Sequence, residues 1–266
     1  MPQTVAPRRF PYSPKHWQAL KRTFSEPRLS LYTEYAAKGL NVQNVDEHAF
    51  YLCQWNTELC EAFYRPLCYL EVSLRNTLTP IIAKILDDKL WYESNPFEPD
   101  SFHYKQLDIQ IRYFKYKTRS TYPIRKSPAY SILPAGLNVH NVTARLTLPF
   151  WIEFFDENCY PEIYEHYYTI FKKLPHDLRR LKQLLPEMEE LGFRQARNAI
   201  FARLEEIKDL RNEVAHYGTI FEWPLQDVHN NIQQIVGWID PDTAEILEQR
   251  TFFEEVWQRR KELLLP

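Results

Sequence analysis

The sequence is poor in glycine, with 5 glycines among 266 residues, and it lacks the alternating β-branched runs from which strands are built. Aromatic residues, in contrast, make up 15% of the chain and supply bulky core-forming side chains. This composition predicts an all-α fold rather than a sheet. The chain is long enough to bury a sizeable core without disulfides, so we expect one compact domain with a subdomain seam.

Paired cysteines and long apolar runs are also missing. The four cysteines show neither C-x-x-C spacing nor a zinc pattern with histidine, and they are typical of small core residues in a reducing compartment. No apolar run approaches the roughly 20 residues of a membrane span, and the first 14 residues lack the apolar segment of a signal peptide. We therefore expect a soluble, cytoplasmic protein with no membrane partner.

The formal net charge of -2 gives no global attraction to nucleic acid, so such a partner would need a local basic patch. One segment, from His103 to Lys126, interleaves basic and aromatic side chains. Because cations neutralise phosphates and aromatic rings stack on unpaired bases, it is a candidate path for single-stranded RNA. The alternative is a solvated insertion whose aromatic rings pack on the protein. The candidate RNA-binding residues are Lys105, Arg112, Lys115, Lys117, Arg119, Tyr113 and Tyr116.

The chain divides into four stretches by pattern: a mobile arm over 1–13, N-terminal helices over 14–90, an irregular basic and aromatic insertion over 91–146, and a helical core over 147–266. The last three together form the single domain. Within them, prolines and caps predict where helices begin. The predicted helices cover 14–24, 26 to about 38, a long run from Asp46, 100–114, 193–216, 224–238 and 241–264. Pro66 should kink or split the long run, and Gly218 should end the helix before it.

A polar cluster, Glu71, Arg75 and Asn76, lies inside the long run from Asp46. Glu71 and Arg75 are four residues apart and therefore neighbours on one face of a helix. Two interpretations remain open. The pair forms an ordinary ion pair within the helix, or the cluster supports an active site elsewhere.

The predicted helix over 193–216 carries the most chemically suggestive motif, Arg211, Asn212 and His216. Its apolar residues share one arc, whereas Asn212 and His216 lie one turn apart on another arc and Arg211 lies at the boundary. Histidine can exchange a proton with a ribose hydroxyl near neutral pH, and arginine stabilises charge on a phosphorane. The alternative is a structural role, since a histidine in the last turn of a helix can stabilise the helix dipole. Spacing alone is weak evidence, because Arg9 and His16 form a second, looser match.

The motif resembles the R-x4-6-H signature of the HEPN superfamily of ribonucleases. More specifically, the chain resembles the Abi-like abortive-infection proteins of the AbiD and AbiF type. The similar stretches follow the family's order and are Glu26-Pro27-Arg28-Leu29-Ser30-Leu31-Tyr32, Gln54-Trp55-Asn56, Ala62-Phe63-Tyr64, Glu71-Val72-Ser73-Leu74-Arg75-Asn76, Leu148-Pro149-Phe150-Trp151, Leu210 to His216, and Ile220-Phe221.

The resemblance implies a HEPN-like helical bundle with additional N-terminal helices. It also implies a homodimeric, metal-independent endoribonuclease toxin of phage defence, with Arg211, Asn212 and His216 as catalytic residues. The expected product is a 2′,3′-cyclic phosphate. No metal or organic cofactor is implied, and an antitoxin or a phage-derived trigger is a possible partner. The alternative is a non-catalytic defence or scaffold protein of the same fold that binds RNA or protein. The chain departs from the family pattern at Glu213 and Tyr217, where relatives often carry a basic residue and a second histidine.

Overall fold

The computed structural model of the protein describes residues 10–38, 43–119, 142–156, 170 and 193–264, without the side chains of 114–119 and 193–197. This part of the chain is helical and contains no strand, which confirms the predicted all-α class. Residues 1–9 of the predicted arm lie outside it, as do 120–141 and 171–192. In chain order the helices are α1 (Pro14–Phe24), α2 (Glu26–Ala37), α3 (Val45–Ile85), α4 (Trp91–Ser94), α5 (Phe102–Arg119), α6 (Leu148–Ile152, followed by a 3-10 turn at Glu153–Phe155), α7 (Phe193–Ala215), α8 (Leu225–Ile239), α9 (Pro241–Arg250), α10 (Phe253–Trp257) and α11 (Arg260–Leu263).

Two helix starts follow the predicted capping chemistry. The Ser13 hydroxyl accepts from the backbone N–H of His16 at 3.2 Å, and Pro14 opens α1. The Asp240 carboxylate accepts from the backbone N–H groups of Asp242 and Thr243 at 3.0 and 3.2 Å before α9. Local hydrogen bonding therefore sets these two boundaries.

Three local predictions can be compared with the structure. The sequence Ser25-Glu26-Pro27 repeats the pattern of Ser13-Pro14 and predicts Ser25 as the side-chain cap of α2. Ser25 makes no such hydrogen bond, because its φ of 72° departs from the extended backbone that an N-cap residue adopts. Helix α3 is continuous through Pro66, so it is not split there, and a kink at Pro66 stays a prediction. The helix predicted over 100–114 starts at Phe102 and continues to Arg119.

The segment predicted as one helix over 241–264 forms three short helices, because the first of them ends at Arg250. The Thr251 hydroxyl accepts from the backbone N–H of Phe253 at 3.4 Å, a local bond that competes with helical bonding. The Arg65 guanidinium donates to the Arg250 carbonyl and so satisfies an acceptor at the end of α9.

The chain forms two compact units, and their boundaries fall within helices. Unit 1 comprises residues 1–65, 212–225 and 250–266, and unit 2 comprises residues 66–211 and 226–249. The boundary in α3 coincides with Pro66, and the boundary in α7 lies between Arg211 and Asn212. The division of the sequence into stretches over 14–90, 91–146 and 147–266 stays a prediction.

Unit 1 has an aromatic core centred on Trp55, which is fully buried. Its ring stacks on Trp257 at 6.0 Å, and its indole N–H donates to the Val256 carbonyl at 2.9 Å. Phe63 of α3 packs against Phe253 of α10 at 5.0 Å. Helices α10 and α11, at the end of the described chain, thus contribute to the core around α3.

Unit 2 has its own aromatic core, and it includes residues from the segment expected to be irregular. Trp91 is fully buried and stacks on Phe150, with 6.3 Å between ring centroids. His103, 1% exposed, lies between Phe97, Phe150 and Phe154. Its Nε2–H donates to the Phe150 carbonyl at 3.1 Å. The start of α5 is therefore part of a packed core.

Burial of His103 makes the fold sensitive to acid. Burial lowers the pKa of His103 to about 4, from the ordinary value of 6.5, although the bond to Phe150 opposes the shift. The unfolded chain then binds a proton more readily, so stability is intact above pH 6.5 and decreases as the pH falls from 6.5 to 4. We expect a loss of about 3 kcal/mol over this interval. The difference in unfolding free energy between the parent and His103→Gln, measured by urea titration at each pH, should follow this loss; a difference that does not change with pH would contradict it.

Candidate functional site

Helix α7 presents the predicted apolar arc and the predicted polar arc. Ile200, Leu204, Ile207 and Leu210 are fully buried and Val214 is 8% exposed, as expected from their spacing of three or four residues. On the other arc, Arg211 and Asn212 are half-buried and His216 is exposed. The motif residues therefore occupy the final turn of α7 and the first position beyond it.

The end of α7 is a Schellman motif in which Tyr217, not Gly218, adopts the left-handed conformation, with φ of 55°. The Tyr217 N–H donates to the Val214 carbonyl at 3.2 Å, and the Gly218 N–H donates to the Glu213 carbonyl at 2.7 Å. Gly218 was predicted to end this helix, and the helix does end just before it, at Ala215, with the left-handed residue one position ahead of the glycine. A Cβ at Gly218 would overlap the Glu213 carboxylate, so this glycine provides space for that side chain.

The left-handed conformation of Tyr217 is strained, because its Cβ lies close to the following carbonyl oxygen. The energetic cost of this contact is roughly 1–2 kcal/mol. We expect Tyr217→Gly to be more stable than Tyr217→Ala by about 1 kcal/mol, because both remove the ring and only glycine relieves the backbone. Urea unfolding of the two variants measures this difference. Equal stabilities would show that Tyr217 carries no strain.

Arg28 of α2 closes the end of α7. One terminal nitrogen of its guanidinium, Nη2, donates to the backbone carbonyls of both His216 and Tyr217. Carbonyls at a helix C-terminus lack helical partners and carry partial negative charge, so a cation is favourable there. Arg28 thus fixes the backbone of the residue that bears the candidate catalytic imidazole.

Asn56 of α3 fixes the next residues of the same turn. Its side-chain amide donates to the Gly218 carbonyl at 2.8 Å, and its Oδ1 accepts from the Ile220 N–H at 2.8 Å. Asn56 is 2% exposed; its bond with the Ile220 N–H is buried, and its bond to the Gly218 carbonyl is partly buried. Phe221 then packs against the rings of Tyr35 and Trp55, at 5.0 and 6.2 Å. Residues 216–221 are therefore held by side chains of α2 and α3.

Arg28 and Asn56 were not predicted as site residues. Both belong to stretches that carry the family resemblance, as do His216 and Phe221, and unit 1 brings these stretches together. That shared membership was the one sequence signal available for them. It gave no indication of which atoms they would contact.

Glu71 lies near Arg211 in unit 2. Burial raises the pKa of the Glu71 carboxyl, while Arg211, Arg75 and a backbone hydrogen bond with Leu148 each favour its charged form. Arg75 is the partner expected for an ion pair within the helix, and Arg211 is the partner expected if the cluster supports the site. Of the two, Arg211 lowers the pKa of Glu71 more. Arg75 Nε also donates to the side-chain oxygen of Asn76 at 3.4 Å. Asn76 is exposed and lines an open groove of about 440 Å³ beside Asp240.

Only part of the predicted RNA path can be described. Lys105 and Arg112 are exposed on α5, and Arg112 pairs with Asp108 at 2.8 Å. Tyr113 is 39% exposed and lies under the Arg145 guanidinium, 3.9 Å from its ring centre. The side chains of Lys115, Tyr116, Lys117 and Arg119 lie outside the described part of the structure.

Two general features concern metals and membranes. Within the described ranges, no three His, Cys, Asp or Glu side chains are grouped as a metal site would require. None of the described helices is both long and apolar enough to cross a membrane.

Comparison of the chain with known protein families, with curated protein sequences and with solved structures found no match.

Proposed function

We propose that the chain is an Abi-like protein of the HEPN superfamily and that it cleaves RNA without a metal ion at the end of α7. The observation that carries this proposal is the exposed His216, one turn after Asn212 and five residues after Arg211, on a turn held by Arg28 and Asn56. An exposed imidazole on a fixed backbone suits proton transfer, because catalytic groups act best when they are oriented in advance.

The proposed reaction is an internal transfer within the RNA. His216 accepts the proton of a ribose 2′-hydroxyl, and the 2′-oxygen attacks the adjacent phosphorus. The bond to the 5′-oxygen breaks, that oxygen takes up a proton, and the products are a 2′,3′-cyclic phosphate and a 5′-hydroxyl. Arg211 stabilises the phosphorane charge, and Asn212 orients the imidazole or a phosphate oxygen. A homodimer would supply a second His216 as the acid.

The family resemblance supports the biological side of the proposal. In this account the protein is a cytoplasmic toxin that arrests growth during phage infection, and an antitoxin or a phage product controls it. Exposed Lys105, Arg112 and Tyr113 on α5 supply part of a surface that would bind the RNA strand.

The experiment is incubation of the purified protein with single-stranded RNA in EDTA. We expect cleavage, with fragments that end in a 2′,3′-cyclic phosphate and begin with a 5′-hydroxyl. Fragments with a 5′-phosphate would indicate a hydrolytic, metal-type mechanism and contradict the proposal.

The second candidate function is RNA binding without cleavage. Glu213, exposed and placed against Gly218, favours it because a carboxylate three residues before His216 lowers the attraction for a phosphate. This function predicts a gel shift with RNA and no fragments, with equal affinity for the parent and His216→Ala.

A further inference from the structure

Unit 1 contains a cavity of about 270 Å³ beside the turn that follows α7. Aromatic rings line it from separate segments: Phe24 at the end of α1, Tyr32 of α2 and Tyr217 after α7. Cys53 and Cys60 of α3 contribute thiols to the same lining, and Arg28 is also part of it. Two of the lining residues also take part in the contacts at the end of α7: Tyr217 follows that helix, and Arg28 donates to the backbone carbonyls just after it.

The walls of the cavity are neutral apart from Arg28. Burial raises the pKa of the Cys53 thiol to about 11 and that of Cys60 to about 12, and it raises the pKa of the Tyr32 hydroxyl to about 12. All three groups therefore stay protonated near pH 7. No carboxylate is found among the described residues that line the cavity. Such a lining favours a ligand with a flat, apolar body and one anionic group.

Arg28 can bind that anion while it continues to hold α7. The carbonyls of His216 and Tyr217 both accept from Nη2. Guanidinium has further N–H donors on Nε and Nη1, and its planar fork suits phosphate. The volume is slightly below the range of about 300–1,000 Å³ typical of pockets for drug-sized ligands, which favours one small ring system over two.

We propose that this cavity binds the base of one unpaired nucleotide, with Arg28 contacting the adjoining phosphate. The choice of RNA as the source of that nucleotide rests on the proposed function. Because Tyr217 directly follows His216, a base held here would determine which phosphodiester lies near the imidazole. Phe24, Tyr32 and Tyr217 would then act in binding and sequence preference, and His216 in proton transfer.

The test is calorimetric titration of the full chain with adenosine 5′-monophosphate and uridine 5′-monophosphate. Three control ligands are titrated in the same way. Adenosine lacks the phosphate, and inorganic phosphate lacks the base. Benzoate is a small aromatic acid without a nucleobase. We expect at least one mononucleotide to bind about 10-fold or more tightly than any of these three, since stacking and the phosphate contact both contribute.

Thr57→Trp should place a ring in the cavity and weaken mononucleotide binding by about 10-fold or more, because Thr57 is an exposed part of the lining. Tyr64→Trp is the matched control, since Tyr64 is 74% exposed on the same helix and is not among the lining residues. The control should bind like the parent.

Three results would overturn the inference: no mononucleotide binding, binding that Thr57→Trp leaves unchanged, or benzoate binding as tightly as a mononucleotide. RNA cleavage without mononucleotide binding would refute the cavity proposal alone. Mononucleotide binding that is sensitive to Thr57→Trp, without RNA cleavage, would support the cavity and refute the ribonuclease proposal.

Discussion

Replacing His216 with alanine should lower the rate of RNA cleavage by about 100- to 10,000-fold, the range typical of a general acid or base. The reason is chemical rather than structural. The imidazole is exposed, whereas the bonds that fix the turn are made by the backbone carbonyl of the same residue. Alanine keeps that carbonyl, so the variant should unfold at nearly the same urea concentration as the parent. Single-turnover cleavage with enzyme in excess measures the rate.

The matched control is His16→Ala. His16 ends the looser Arg–His match in the sequence and lies in the first turn of α1, so it tests whether any histidine of this pattern matters. We expect cleavage at the parent rate. If His16→Ala and His216→Ala lose activity equally, or if neither loses any, His216 is not the proton-transfer residue.

Replacing Asn56 with alanine should lower the free energy of unfolding by about 3 kcal/mol, because two buried backbone groups lose their partners at once. The Gly218 carbonyl loses a donor and the Ile220 N–H loses an acceptor, each bonded at 2.8 Å in the parent. Asn56 is 2% exposed, so both backbone groups are largely shielded from solvent in the parent. Urea unfolding followed by tryptophan fluorescence measures the change.

Asn76→Ala is the control for Asn56→Ala. It removes the same amide from the same helix α3, but at an exposed position, so we expect a change within about 0.5 kcal/mol. Equal effects of the two substitutions would show that the bonds made by Asn56 do not stabilise the turn after α7.

Local sequence patterns predicted the helices well where one cause dominated. The apolar arc of α7 followed from the 3.6-residue period, and Ser13 and Asp240 marked helix starts by short-range hydrogen bonds. The break after Arg250 was not predictable in the same way. It depends on Thr251 bonding locally and on Arg65, 185 residues away, donating to a carbonyl.

The candidate site likewise combines residues that a local pattern predicts with residues that only long-range contacts bring in. Arg211, Asn212 and His216 could be found because they lie in six consecutive residues at the end of one helix. Arg28 and Asn56 act on the turn after α7 from 188 and 162 residues away, and no periodicity encodes such pairing. Tyr217 was missed for a different reason. Glycine is the usual left-handed residue at a helix end, and the adjacent Gly218 carried that signal.

The most direct test compares two RNA oligonucleotides that differ in one atom, in buffer containing EDTA. One is all-ribose and the other has a single 2′-deoxynucleotide immediately 5′ to the mapped cleavage position. Cleavage by internal attack requires the missing hydroxyl, so we expect the parent protein to cut the first oligonucleotide at this position and to leave the second intact there. Cleavage of both oligonucleotides at that position, or of neither, would contradict it.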